Sequence, residues 1–516
     1  MKHDPISFLE YNINQLMLPM DISELIPQHS VARVVNEMIE RIPDNHFLRY
    51  YPGGGRSSYH PKMMTKILVY AYTQKIYSGR EIARQLEENI SLPLLWLSAF
   101  QKPDFRTINR FRSERGKGLV EELFKQVLML LVEEGHVRLD DCFVDGTKIE
   151  ANANRYTFVW KKSTENYKKK LETKVDQLIK HIDGIVAEEE TQTPPKEEAK
   201  PTITSEKIEK KVREWEKRLE QEPKNKELKK AVKKMKTDFL PRSAKYEKQL
   251  ATCGERNSYS KTDPDATFMR MKEDHMKNGQ LKPGYNVQMA SNDQFILAYT
   301  VHQRPGDTRY LIPHLQEAEK KFGVKAKNVI ADAGYSSEEN YAYLEEQGQE
   351  AYVKYGMYEK EQTRSFKKNP HHQSNWVYDE EKDVFLCAAG KELSFVSEKK
   401  QRTEFGYEST IRIYQCRECE GCPFRSACTT SKHGRSTQVN TTYRQYKKKV
   451  QERLWTDEGK HLYAKRKVDI ESVFGQFKGN RSFRRFSLRG LAKVSIEIGL
   501  ISIAHNLLKR AARRAA

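Results

Sequence analysis

Cysteine is scarce in this chain, with seven residues in 516. That excludes a disulfide framework holding small loop-rich domains, and the thiols are expected to be reduced. Long apolar runs are missing too. No stretch approaches the ~18–20 apolar residues of a membrane helix, so no membrane partner is expected. The opening residues, Met1-Lys-His-Asp-Pro-Ile-Ser7, lack the apolar stretch of a secretory signal, and the expected compartment is the cytosol. Gly53-Gly-Gly-Arg56 is glycine-rich, but no Lys-Ser/Thr pair follows it. It reads as a turn, not as a nucleotide-phosphate loop. Negative charge is in deficit. Asp+Glu number 71 against Lys+Arg 91, for a formal net charge of +20. The excess favours a polyanionic partner, and composition does not separate DNA from RNA. The length allows two to four domains with sizeable cores.

Residues 1–135 read as helices. Pro61–Tyr72 is one, and Ser78 with Glu81 has the spacing of a capping box that opens the next. Asp104 can cap a helix carrying Arg106, Asn109, Arg110 and Arg112. Short helices ending in a basic one fit either a plain bundle or a helix-turn-helix-like DNA reader. From 158 to 255 the composition shifts to Lys and Glu. Tyr167, Leu171, Val175, Leu178, Ile182 and Ile185 recur at heptad-like spacing. The seam resumes at Ile208, Val212, Trp215 and Leu219, and again at Leu228, Val232, Met235 and Phe239. This predicts a helical hairpin of two antiparallel arms, interrupted at Pro223, with a turn near 188–202.

Strand signals surround the helical segment. Cys142-Phe-Val-Asp145-Gly146 is an apolar run that is expected to end at Asp145 and turn at Gly146. Asn328-Val-Ile-Ala-Asp332-Ala-Gly334-Tyr335 repeats the pattern, and Ser336 with Glu339 suggests a capped helix after it. Gly284–Asp293 and Gln294–Val301 look like a hairpin. Later, Tyr463, Arg466, Lys467, Glu471 and Lys478 fall on one predicted helix. Lys467 stands four residues before Glu471 and Lys478 seven after it, on the same face. Taken singly, each aspartate also suits a turn, and the basic helix also suits ordinary salt bridges. Taken together, two strand-end aspartates and a helix-borne glutamate are the ligand set of a two-metal phosphoryl-transfer site, with ions about 3.5–4 Å apart.

These three contexts resemble the DDE transposases of bacterial insertion sequences, in the branch with a helical N-terminal domain and a Tyr-Arg-Glu-Lys signature. Asp-Gly-Thr follows the first strand, Asp-Ala-Gly-Tyr the second, and Tyr463, Arg466, Glu471 and Lys478 carry the late signature. The Arg466–Glu471 gap is one residue longer than usual, whereas Lys467 has the usual spacing. Either could fill the arginine role. Gly306-Asp307-Thr308-Arg309, Phe105–Arg112, Arg484-Arg485-Phe486 through Gly490, and Glu497 through Asn506 extend the similarity. The resemblance implies an α/β protein with an RNase H-like mixed-sheet catalytic core, in pieces at 136–157, 256–356 and 441–516. An all-α DNA-binding domain (1–135), a coiled-coil insertion (158–255) and a Cys-rich insertion (357–440) would accompany it. It implies Mg2+ or Mn2+ held by Asp145, Asp332 and Glu471, with double-stranded element ends and target DNA as partners. Tyr463, Arg466, Lys467, Lys478, Arg484 and Arg485 would contact the DNA. A homodimer acting at the bacterial nucleoid would bring paired ends together. A catalytically silent DNA-binding protein and a nuclease without strand transfer stay open as alternatives.

The remaining motif is Cys416-x2-Cys419-x2-Cys422-x5-Cys428, with Cys387 nearby. Two-residue spacing of thiolates suits a structural Zn2+ with Zn–S about 2.3 Å. Three cysteines packed so tightly leave two ligand sets open, the contiguous four or a set that uses Cys387.

Overall fold

The structure, a computed structural model, describes residues 16–17, 20–51, 57–189, 203–271 and 279–515. The turn expected at Gly53–Arg56 and most of the one expected near 188–202 lie outside these residues. Five main helices open the chain: α1 (Val31–Glu40), α2 (Pro61–Thr73), α3 (Gly79–Glu87), α4 (Phe105–Arg110) and α5 (Gly116–Glu133). Pro61 suits the first turn of α2, where its missing N–H costs nothing, and every residue of α2 is buried. Asp104 caps α4 as expected, accepting from the Thr107 N–H at 2.7 Å. The expected capping box at α3 does not form. Ser78 makes no side-chain capping bond, and Glu81 is instead held by Arg84 at 2.7 Å.

The charged segment differs from the predicted two-armed hairpin. It forms α6 (Lys161–Glu189), α7 (Ser205–Gln221), α8 (Lys226–Lys234) and α9 (Leu240–Cys253). The seam residues Leu171, Val175, Ile182, Ile208, Val212, Trp215, Leu228, Val232, Met235 and Phe239 make one buried cluster of their own. Pro223 is the reason for the difference. It stops α7, and the chain turns so that α8 and α9 return as a third layer against α6 and α7.

The central sheet holds β1 (Asp141–Glu150), β2 (Thr267–Arg270), β3 (Leu281–Asn292), β4 (Phe295–His302), β5 (Asn328–Ala331) and β6 (Glu350–Val353). The order is β6-β5-β1-β3-β2, with β4 also paired to β3. β1 runs parallel to β5 and antiparallel to β3, so the sheet is mixed. The β3–β4 hairpin is as expected. Asp293 and Gln294 form its two-residue turn with φ of 48° and 63°, the left-handed pair that matches strand twist. α10 (Leu311–Glu317) and α11 (Glu338–Glu346) sit between the later strands.

A second, antiparallel sheet follows in the order β7 (Val377–Asp379), β8 (Val384–Leu386), β9 (Glu392–Arg402), β10 (Glu408–Gln415) and β11 (Ser436–Val439). The chain ends in α12 (Thr441–Trp455), α13 (Asp457–Gly475) and α14 (Leu491–Ala515). Leu491–Arg514 is long and apolar enough to cross a membrane by length and composition, contrary to the sequence reading. Its apolar window is 72% buried in the fold, packed against α2, α5 and β4. It is the core helix that joins the N-terminal helices to the sheet.

That junction contains a fully buried cation. Arg510 is 0% exposed and binds Glu37 at 2.7 Å and Glu134 at 2.6 Å. Burial pulls both carboxyls upward, but the hydrogen bonds from Arg510 outweigh it and hold both below the ordinary value. A depressed carboxyl stabilises the fold above its unfolded pKa and loses that effect as pH falls through the folded one. Arg510→Met is expected to cost about 3 kcal/mol at neutral pH, because both carboxylates lose their buried partner and keep the more exposed Arg514 and Arg41. In urea titrations the gap from the unaltered chain should narrow as pH drops below 4.5. A gap independent of pH would show that packing, not charge, carries the effect.

Candidate active site

The parallel pairing of β1 with β5 ends at Val144 opposite Ala331. Asp145 and Asp332 are the next residues on the two strands, so backbone register places them side by side. β1 does not turn at Gly146, as the sequence suggested. It continues to Glu150 because β3 pairs with it over the whole length. Asp145 accepts from the Gly146 N–H at 2.8 Å. Asp332 caps a short helical turn over Ala333–Tyr335, accepting from Gly334 N–H at 2.8 Å. The cap of α11 is Ser337, which accepts from Asn340 N–H. Ser336 donates instead to the Ala333 carbonyl.

Glu471 reaches the same edge on α13, which lies across β1, β3, β5 and β6. Ile470, Val473 and Phe474 bury its inner face. Asp469 pins it to the hairpin, accepting from Ser291 at 2.5 Å and from the Gln294 N–H at 3.1 Å. Burial is the main influence on Asp469 and raises its carboxyl. Arg466 then bridges the cluster. Its guanidinium is 2.8 Å from Glu471 and 3.7 Å from Asp145. Lys467 is exposed, so the long reach of Arg466 makes up for the extra residue of spacing. α13 loosens into a wider π turn at Gln476–Asn480, which moves Lys478 off the ideal face. Lys478 there lines a small polar cavity with Gly146, Thr147, Lys148, Asn286 and Asp307. Tyr463 packs under Lys354, 3.8 Å from its ring centre, and near Arg466. Burial pushes its hydroxyl up to about 12.

A buried polar network underlies the aspartates. Asn286 and Gln288 share one face of β3, and both donate to Asp307, at 2.7 and 2.9 Å. The Tyr335 hydroxyl donates to Gln288. Burial drives the Tyr335 hydroxyl well above its usual range, and Asp145, Asp307 and Asp332 add to the rise. The sequence reading passed over Asn286 and Gln288 and gave Asp307 no role. The available signal was two amides at alternate positions in an otherwise apolar strand, Asn286-Val-Gln288-Met-Ala. Thr308 extends the network by donating to the Gly334 carbonyl at 2.5 Å. Glu404, at the tip of the β9–β10 hairpin, holds Arg304 at 2.9 Å and also Arg309.

The predicted DNA contacts separate into two groups. Arg106 and Arg110 are exposed on α4. Arg112 is buried, donating to the Tyr77 carbonyl at 2.7 Å and to Asn109 at 3.0 Å. Arg112 follows buried Ile108 by four residues and so shares its inner face, and Arg112 and Asn109 brace the helices. Arg485 donates to the carbonyls of Ala151 and Ala153, and Arg484 to that of Lys478.

The carboxylate oxygens are hard donors of the type Mg2+ prefers; Asp145 and Asp332 are neighbours where the β1–β5 pairing ends, and Glu471 is linked to Asp145 through Arg466. Among the described residues, no three Asp, Glu, His or Cys side chains already meet as a metal site. Arg466 currently supplies the positive charge between Asp145 and Glu471.

Residues 386–511 match a family model described as Transposase DDE domain, and residues 20–114 match one described as Transposase domain (DUF772). The two matches support a DDE-type insertion-sequence transposase. The two matched stretches contain Arg106, Arg110, the cysteine cluster and Glu471. They leave Asp145 and Asp332 outside, so those two rest on strand register and sequence pattern. Transposases of this family act on DNA and use a divalent metal. No curated protein and no solved structure matches the chain.

Proposed function

We propose that this transposase binds the ends of its insertion sequence and catalyses metal-dependent cleavage and strand transfer at an RNase H-like core. The observation that supports the reading is the register that sets Asp145 beside Asp332 where the β1–β5 pairing ends, with Arg466 linking Asp145 to Glu471. Asp145, Asp332 and Glu471 would hold the divalent ions, which when bound neutralise the phosphodiester and activate the attacking oxygen. Arg466 would turn from the carboxylates toward the DNA backbone as they take up metal. Lys478 stands where it can contact a phosphate beside Asp145. The Asp307–Asn286–Gln288–Tyr335 network keeps the strand ends from shifting under the charge. Arg106 and Arg110 on α4 are the candidates for end recognition, with binding that weakens as salt rises. A homodimer would pair two ends.

The test is incubation of the purified chain with DNA carrying both flanks of its coding region, with Mg2+ or Mn2+. Cleavage at the element boundary and joining of the freed 3′-hydroxyl to a second DNA are expected. Cleavage without joining would mark a nuclease, and binding without either would mark a silent DNA-binding protein.

A further inference from the structure

Five of the seven cysteines line one cavity of about 20 Å3 at the edge of the second sheet, together with His371. They arrive from three separate elements. Cys387 follows β8 in a tight turn closed by the Gly390 N–H on the Cys387 carbonyl at 2.9 Å. Cys416 and Cys419 lie in the turn after β10. Cys428 ends a single helical turn, Arg425–Cys428. The Cys416–Cys419 turn is braced from outside. The Cys416 N–H donates to Arg435 O at 2.9 Å, and the Arg435 N–H donates to Cys419 Sγ at 3.3 Å. An N–H directed at sulfur favours the thiolate. Gly434 makes the approach possible. Its φ is +85°, and an added Cβ would strike the Cys416 carbonyl and lie 3.2 Å from Cys419 Sγ.

The apolar core beneath is small, formed by Trp376, Phe385, Leu393, Tyr414, Cys416 and Val439. β9 is exposed at all but one of its eleven positions. A thin sheet with so little burial needs a further tie, and a metal is one such tie. Soft thiolates select zinc over the hard cations of a carboxylate site. A cavity of this size admits one ion-sized guest.

We propose that Cys387, Cys416, Cys419 and Cys428 bind one structural zinc ion, leaving Cys422 outside the ligand set. Cys416 and Cys419 form the braced turn, and Cys387 and Cys428 reach the cavity from two other elements, whereas Cys422 only continues the same turn, its N–H on the Cys419 carbonyl at 3.4 Å. The thiols now surround the space without meeting at one point, and rotation about Cα–Cβ bonds would draw them in. The site does not depend on the reading of the carboxylate cluster.

The experiment is metal analysis of the purified full-length chain and of five single Cys→Ser variants. One zinc per chain is expected in the unaltered protein and in Cys422→Ser. Cys387→Ser, Cys416→Ser, Cys419→Ser and Cys428→Ser should each lose it. Should those variants fail to fold, cobalt exchanged into the unaltered chain gives a second readout, the visible bands of tetrahedral four-thiolate coordination. Absence of zinc, iron in its place, full zinc in Cys387→Ser or loss of zinc in Cys422→Ser would each overturn the assignment.

Discussion

Asp145→Asn, Asp332→Asn and Glu471→Gln should each abolish DNA cleavage and strand transfer while leaving DNA binding nearly intact. An amide keeps the shape of the side chain and removes the charge that attracts a cation. The phosphodiester is anionic, so a site that cannot gather positive charge cannot bring an oxygen nucleophile to it. The binding surface proposed on α4 lies on a different part of the fold, so gel shifts should move little. Asp145→Asn and Glu471→Gln also remove a charge paired with Arg466, so a stability measurement must accompany the assay. If any variant cleaves within about tenfold of the unaltered chain, the barrier has changed by only ~1.4 kcal/mol, and that residue is not a metal ligand.

Gly146→Ala is expected to be nearly as damaging, though it changes no charge. A methyl group at this position would lie 2.7 Å from Asp307 Oδ1 and closer still to Gln288 Nε2. Both are side-chain ends, but both are tied into the buried network and cannot simply swing away. Relief requires breaking a buried hydrogen bond or moving β1 away from β3. Overpacking of this kind costs about 1–3 kcal/mol. Moving β1 also displaces Asp145, so cleavage should fall by more than the stability loss explains. Thermal melting and single-turnover cleavage would be read side by side. A variant that melts and cleaves like the unaltered chain would show that the network is not rigid.

The parts of the candidate site legible in the sequence are those where chemistry and local pattern coincide. Asp145 and Asp332 each close an apolar β-prone run, and Glu471 sits between cations, so pattern alone nominated all three. Arg466 was left open against Lys467 because helical spacing counts residues and takes no account of the guanidinium's reach. Arg112 misled because its charge was counted and its spacing was not. Arg106 and Arg110 face solvent, but Arg112 stands four residues after Ile108 and shares its buried face. Asp307, Asn286 and Gln288 carried no local signal strong enough to name them, since their role exists only once β3 lies beside β1. The hairpin forecast for 158–255 treated Pro223 as an interruption, whereas the chain uses it to fold back and complete a third layer. The β3–β4 hairpin was readable because two β-prone runs, Gly284–Asp293 and Gln294–Val301, stand back to back.

The pairing of β1 with β5 joins residues 187 positions apart (332 − 145), and Glu471 joins them from 139 further on. Such separation makes the site a late event in folding, since distant segments must find each other before their contacts compensate for loop closure. On the ribosome the first two aspartates emerge long before the helix that completes the triad. A chain that stops before 471 lacks Glu471 and also α14, the core helix that joins the N-terminal helices to the sheet, so the candidate site and the junction beneath it both wait for the last tenth of the chain.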